Sequence, residues 1–406
     1  MSTVADTQAP RDPAGQEQML EERRRAAIEE SGWGSEFRFF QPRNACLWVY
    51  LLAVILGTRQ LYHLAAPTVG VFEEANLAAV ASAGLFCLAF LWFLHHADRY
   101  ERTPARLAIA AFIGGGLAAP WAMALPGNAA MMDLYAKNFG QAWATDWEAG
   151  LTAPFVEESA KAIIFVLLLG LAPFVIRTVY DGLIVGAYVG LGFQVLEDML
   201  YGQNAAYSHF GVDQIGAVMQ TFLIRAGSGV ASHAMYTAVF CAGIIYLLGT
   251  AAQPRRVGRG LALMAASMIL HGVWDAQVAL ADSNPFLSLG FLLGITALLI
   301  YALFVALRWG SYRERGWMRD VLAPEVANGT ITELELTALT GDRRNRRKDR
   351  KAAVTGRDEG MSKRREKHVL AGAIDLAHDL VDSRGHDTPA VEHSRAEIAR
   401  LRTQTT

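Results

Sequence analysis

Glu157 and Glu158 are adjacent carboxylates, followed by Ser159-Ala160-Lys161 and then an uncharged apolar run to residue 172. Phe193-x-x-x-Glu197, with Asp198 next to it, closes a second apolar run; His233 lies in a third, and His271-x-x-x-Asp275 in a fourth. Ionisable side chains are costly in such surroundings, and each one inside a membrane-length stretch is a candidate for function. Carboxylates, two histidines and one lysine in a water-accessible pocket can activate water. A glutamate accepts the proton of the attacking water, a histidine assists or binds the developing oxyanion, and Asp275 orients His271. The same inventory suits a metal, because Glu, Asp and His are ordinary ligands of Zn²⁺. No HExxH is present, nor a GxSxG, a Cys/His pairing or a GxxxxGK[ST] phosphate loop, so the common zinc-hydrolase, covalent-nucleophile and nucleotide-binding patterns are absent.

These residues need helices to hold them. Glu157 and Lys161 are four apart on one helix face, with the glutamate on the N-terminal side, the favourable order for a pair. Glu157 and Glu158 point about 100° apart and are expected to do different jobs. Gly182, Gly186, Gly190, Phe193, Glu197 and Tyr201 form one stripe at helical intervals. Its glycines allow a neighbouring helix to approach closely, and the same face then presents Glu197. His271 and Asp275 also share a face. Gly227-Ser228-Gly229-Val230-Ala231-Ser232 precedes His233. Taken singly, each histidine reads as a hydrogen-bonded core residue; the cluster changes that reading.

The rest of the chain says where the helices lie. Of 406 residues, 52% are hydrophobic and only 19% charged, against roughly 25% charged in soluble domains. The charges are segregated: residues 45–310 hold 12 Lys/Arg and 15 Asp/Glu, and the ends hold the rest. That excludes an ordinary soluble enzyme, a disordered chain and a disulfide scaffold. The fold class expected is all-α, a polytopic transmembrane helix bundle of about eight spans with polar cytoplasmic N- and C-terminal tails. The spans are about 45–64, 77–95, 105–125, 151–171, 178–201, 222–249, 260–281 and 287–308. The division is a tail at 1–44, a membrane-embedded protease-like helical domain at 45–310 and a charged tail at 311–406. Residues 1–44 are too polar for a secretory signal peptide. Cys46, Cys87 and Cys241 read as buried core residues.

Arg99, Arg102, Arg106, Arg177, Arg255, Arg256 and Arg259 fall in alternate loops. The positive-inside rule then places the chain in the cell membrane, multi-pass, with both termini cytoplasmic. The long connection 126–150, with Trp143 and Trp147, reads as an outer interfacial loop. On this orientation Glu157, Glu158, Glu197, His233, His271 and Asp275 all lie within roughly 6–17 Å of the outer boundary at about 1.5 Å per residue. Loop charges and cluster residues are independent, so the agreement points to one common site. In the tails, the basic runs 341–351 and 363–367 read as a solvated face or an attraction to anionic lipid. Without interleaved aromatics they make no nucleic-acid platform. A helix is expected near 367–382.

Glu157-Glu158-x-x-Lys161, Phe193-x-x-x-Glu197, His233 and His271-x-x-x-Asp275 together resemble the four ordered motifs of the PrsW family of intramembrane proteases. That family is similar in turn to the CAAX prenyl endopeptidases and their bacterial relatives, whose motifs resemble EExxxR, FxxxH and HxxxN/D. The resemblance covers about residues 150–280. It implies a peptide hydrolase of glutamate or metallo type, working in regulated intramembrane proteolysis of a membrane-anchored protein substrate such as an anti-sigma factor, cut on its extracytoplasmic side. By that resemblance Glu157 or Glu158 is the water-activating base. Glu197 stands where the CAAX relatives have histidine, and Asp275 where they often have asparagine. Glu197, His233 and His271 are the candidate ligands if zinc or another divalent metal is used, and the alternative is no metal. Lys161 and Phe193 support the site. The implied partners are the protein substrate and the lipid bilayer, with no nucleic acid; the oligomeric state is left open. Two other functions compete. A proton- or cation-coupled transporter would use the acids and histidines as a relay, but the inner halves of spans four to seven hold almost nothing titratable except Asp181. A non-catalytic membrane scaffold would keep the cluster for packing.

Overall fold

The computed structural model describes residues 13–228, 233–341, 347 and 363–403, and among these every regular element is a helix. The chain divides into two compact units, Met1–Ser35 with Ser311–Thr406, and Glu36–Gly310.

The larger unit opens with α2 (Ala45–Ala65), after α1 (Pro13–Ser31) of the other unit. The Asn44 side chain accepts the Cys46 N–H and starts α2, satisfying one of the donors a helix leaves open at its N-terminus. α3 (Glu73–Ala97) follows, then a continuous run of α4 (Ala105–Ile113), a π-helical segment (Gly114–Ala124) and α5 (Leu125–Phe139). Pro120 lies inside the wide turns, where it has no N–H to contribute to an ordinary ladder. Next come α6 (Gln141–Leu171), α7 (Val179–Ser208), α8 (Gln214–Ser228), α9 (His233–Leu248), α10 (Val257–Asp275), the short α11 (Gln277–Leu280) and α12 (Pro285–Ala327).

Among the described residues, six helices are long and apolar enough to cross a membrane: α2, α3, the run Ala105–Phe139, α7, α10 and α12. Eight spans were expected. α6 has the length, but Glu157, Glu158 and Lys161 take it out of the apolar class. The expected span 222–249 is divided between α8, which ends at Ser228, and α9, a shorter apolar helix that begins at His233. Gly229–Ser232 of the stretch before His233 lie outside the described residues. The expected loop 126–150 is a correction, because it is helical on both sides of Gly140. Gly140 takes the left-handed region (φ 89°), which glycine alone enters without steric cost. Phe139 and Trp143 pack across the turn with ring centroids 4.6 Å apart.

α7 is the central helix. Its apolar window is 83% buried, against 17% for α2, α3 and α12, whose outward faces carry Leu52, Leu85, Trp92 and Leu293. A capping box starts α7: Thr178 accepts the Asp181 N–H, and Asp181 accepts the Thr178 N–H at 2.7 Å. Asp181 therefore has a helix-capping task at the N-terminus of α7. The glycine stripe packs on α9. A Cβ at Gly190 would overlap the carbonyl oxygen of His233. Gly190→Ala is therefore expected to cost about 1–3 kcal/mol through overpacking and to displace His233. A thermal melt of the detergent-purified protein unchanged by this substitution would contradict the close contact.

The smaller unit is held by a buried ion network. Arg24 reaches Glu325 at 2.8 Å, and Arg395 reaches the same carboxylate at 2.7 Å. Here α13 (Glu333–Thr340) is followed by helices Lys363–Asp382 and Pro389–Thr403, which pack on each other and bury Val369, Leu376, Leu380, Val391 and Ile398. The helix expected near 367–382 is thus present. The basic run 341–351 lies outside the described residues except Gly341 and Arg347.

Candidate active site

Four helices that alternate in direction carry the expected residues, and alternation brings them to one level. Glu157 on α6, Glu197 on α7, His233 on α9 and His271 on α10 each lie about 21–27 Å along the axis from the same end of the bundle, counted from Leu171, Val179, Leu248 and Val257. Glu157, Glu158, Lys161, His233 and His271 are all buried.

The two histidines are each backed by a carboxylate. His233 Nε2 is 2.9 Å from Glu197 Oε2, and its Nδ1 is 3.0 Å from Lys161 Nζ. An ammonium only donates, so Nδ1 is the acceptor and Nε2 carries the proton given to Glu197. His271 Nδ1 faces Glu158 Oε1 at 3.1 Å, within ion-pair range but without hydrogen-bond direction. Its Nε2 faces Asp275 Oδ2 at 3.5 Å. The rings meet edge to face, 5.0 Å apart. Tyr236 stacks on His271, and Phe193 packs against His233 while its face receives Lys161 Nζ at 4.3 Å. The phenylalanine of the Phe-x-x-x-Glu motif is thus a platform for a cation.

The adjacent glutamates differ, as their angular separation requires. Both oxygens of Glu158 face fixed partners: Oε1 is 2.7 Å from Lys161 Nζ, and Oε2 accepts the Thr237 hydroxyl at 3.2 Å. Glu157 is held through one oxygen only, Oε1, by Asn128 Nδ2 at 3.1 Å. Its Oε2 is buried without a hydrogen bond. It lies 3.7 Å from His271 Nε2 and 3.8 Å from both His233 Nδ1 and Lys161 Nζ. Those separations leave a gap bounded by one carboxylate oxygen and three nitrogens.

Glu157, His233 and His271 offer one ligand atom each, all within 4.8 Å of one another. Two histidines and one glutamate are a donor set used by catalytic zinc. Bonds of about 2.0–2.1 Å at tetrahedral angles need donors roughly 3.3 Å apart, and the two separations from Glu157 Oε2, 3.7 Å to His271 Nε2 and 3.8 Å to His233 Nδ1, exceed that by a few tenths of an ångström. The surrounding charge also favours a cation: among the described residues, Glu157, Glu158, Glu197, Asp198 and Asp275 face Lys161 and Arg225 as their fixed positive groups. Each histidine already has an outer carboxylate of the kind that orients metal-binding imidazoles. The residues fit a divalent ion, with the Lys161 ammonium ceding His233 Nδ1.

All eight expected residues meet here: Glu157, Glu158, Lys161, Phe193, Glu197, His233, His271 and Asp275. The expected ligand trio included Glu197. In the structure Glu197 Oε2 stands behind His233 and is shared with Arg225, whose Nη2 donates to it at 2.7 Å, and Glu157 faces both imidazoles instead. Sequence reasoning missed Arg225, Thr237 and Asn128. Arg225 carried a usable signal, since an arginine in a stretch expected to span the membrane is as costly as the glutamates. Thr237 and Asn128 carried none.

A family model described as PrsW family intramembrane metalloprotease matches residues 103–307, about half of the chain, from the start of α4 into α12. No curated protein and no solved structure matches.

Proposed function

The chain belongs to the PrsW family of intramembrane metalloproteases, and from that premise we propose that it hydrolyses a peptide bond of a membrane-anchored protein near the extracytoplasmic face, using the Glu157 gap to hold the attacking water. The observation that carries this reading is the unpaired Glu157 Oε2 opposite His233 Nδ1, His271 Nε2 and Lys161 Nζ. A buried carboxylate oxygen with nothing to accept is costly, and a water in the gap removes that cost.

The water oxygen bonds to the scissile carbonyl carbon, and the carbonyl π electrons move onto its oxygen. Glu157 takes the water proton and returns it to the amide nitrogen as the C–N bond breaks. Glu158 and Glu197 back His271 and His233, and Lys161 lowers the cost of negative charge on Glu157. Glu157, His233 and His271 would hold a divalent ion, which when bound supplies a Lewis acid and a more acidic water. Both uses need the Glu157 carboxylate. Loop arginines favour the inner side for the ends of α3, α6 and α9, which puts the gap toward the outside, where a substrate's extracytoplasmic stalk leaves the membrane.

The test compares new peptide N-termini in membranes of cells expressing the wild type and the Glu157→Ala/Glu158→Ala variant at matched levels. Termini unique to the wild type, beside the spans of single-pass proteins, are expected and would name the substrate. Identical termini, with both proteins stably inserted, would overturn the protease reading in favour of transport or scaffolding.

A further inference from the structure

We propose that Arg225 is a positioning residue that sets the tautomer and aim of His233 through Glu197, and so couples α8 to the catalytic gap. This rests on the hydrolase reading only for its use, because the coupling itself is a matter of geometry.

Three contacts fix the guanidinium. Nη2 donates to Glu197 Oε2 at 2.7 Å, Nε donates to Asp198 Oδ1 at 2.5 Å, and the plane lies over the Tyr201 ring with Cζ 3.9 Å from its centroid. All three partners belong to α7, whereas Arg225 belongs to α8. Asp198 and Tyr201 hold the arginine's plane, and the planar fork passes that orientation to Glu197. The oxygen that Arg225 grips is the same one that receives His233 Nε2–H at 2.9 Å. A single carboxylate oxygen thus joins α8 to the imidazole, and the far side of that ring, Nδ1, faces Glu157 and Lys161.

The site gains a fixed lone pair by this device. A neutral imidazole exchanges its proton between Nδ1 and Nε2, and the partner of one nitrogen decides what the other presents. With Glu197 pinned, the proton stays on Nε2 and the Nδ1 lone pair stays in the gap. Without Arg225 the Glu197 carboxylate keeps only its bond to His233 and can turn about its own side chain, which leaves the Lys161 ammonium on Nδ1 as the one remaining fixed hold on the ring. Lysine restores a charge but cannot bond Glu197 and Asp198 in one plane and also lie flat on Tyr201.

The experiment uses the full-length protein in proteoliposomes with histidines labelled by ¹⁵N, comparing the wild type with Arg225→Gln and Arg225→Lys. The His233 signals are assigned by their loss in His233→Gln. Wild-type His233 is expected as the Nε2–H tautomer alone. In Arg225→Gln a measurable minority of the Nδ1–H tautomer is expected, limited by the Lys161 ammonium that still faces Nδ1, and Arg225→Lys should lie between. Zn²⁺ is titrated in parallel against a chromophoric chelator, with binding expected to weaken in Arg225→Gln, by less than the roughly 10–100-fold that follows loss of a ligand's direct outer partner. An unchanged His233 tautomer in folded Arg225→Gln, or in Arg225→Lys if the glutamine variant does not fold, would overturn the proposal. Arg225 would then merely fasten α8 to α7. The tautomer is read without substrate or metal, so failure of the hydrolase reading leaves this result interpretable.

Discussion

Glu157→Gln is expected to lower cleavage by about 10²–10⁴-fold while the protein stays folded and inserted. Glutamine is nearly isosteric and still offers Asn128 a carbonyl oxygen, so the one hydrogen bond that places the side chain survives. What is lost is the charged second oxygen, the atom that has no protein hydrogen bond and faces His233, His271 and Lys161. A group that holds nothing in place can be neutralised without unfolding the chain, and stability and function therefore separate at this position. The check is single-turnover cleavage of the substrate found by terminus mapping, with a thermal melt on the same samples. Cleavage within twofold of the wild type would remove Glu157 from the chemistry.

The second large effect runs the other way. Lys161→Met should destabilise the protein by about 3–5 kcal/mol, the usual result of breaking a buried ion pair on one side only. Lys161 is fully buried, sits 2.7 Å from an equally buried Glu158, and also donates to His233. Removing it leaves two adjacent carboxylates in an apolar bundle with no cation on their helix. Adding Glu158→Gln should recover much of the loss, since replacing both members of a buried pair costs far less than orphaning one, yet cleavage should not return with it. Melting temperatures of the single and double variants decide this. A Lys161→Met protein as stable as the wild type would mean the ammonium is not the counter-charge that the distances indicate.

Much of this site was legible in the sequence, for a simple reason. Each motif contains residues that an apolar helix does not tolerate without cause, and four helices of alternating direction bring such residues to one level. Even the glycine stripe of α7 could be read as a close-packing face, and α9 lies on it at Gly182, Gly186 and Gly190. The parts that escaped depend on long-range geometry. Glu197 and Glu157 are both glutamates in apolar runs, and only the packed structure shows that one backs His233 while the other faces the gap. Asn128 fell in a stretch that composition marked as loop, although α5 carries it alongside α6. Arg225 lay in a stretch read as the single span 222–249, which the chain divides between α8 and α9. The number of crossings blurred for a related reason: residues that make α6 chemically interesting also lower its apolar character.

The smaller unit carries a consequence for the whole chain. Arg24 comes from the start of the sequence, and its partner Glu325, like Arg395, comes from the end. For them to meet, the chain must leave the bilayer after Gly310 on the same side from which it enters near Glu36. The crossings between are therefore even in number. Six satisfies that parity, and so does eight, reached when α6 and α9 are added to the six apolar helices; seven does not. Chain order also sets an order of assembly: Arg24 has only Glu21 of its own helix as a partner until Glu325 is synthesised, so the segments that cross the bilayer are made before this unit can close.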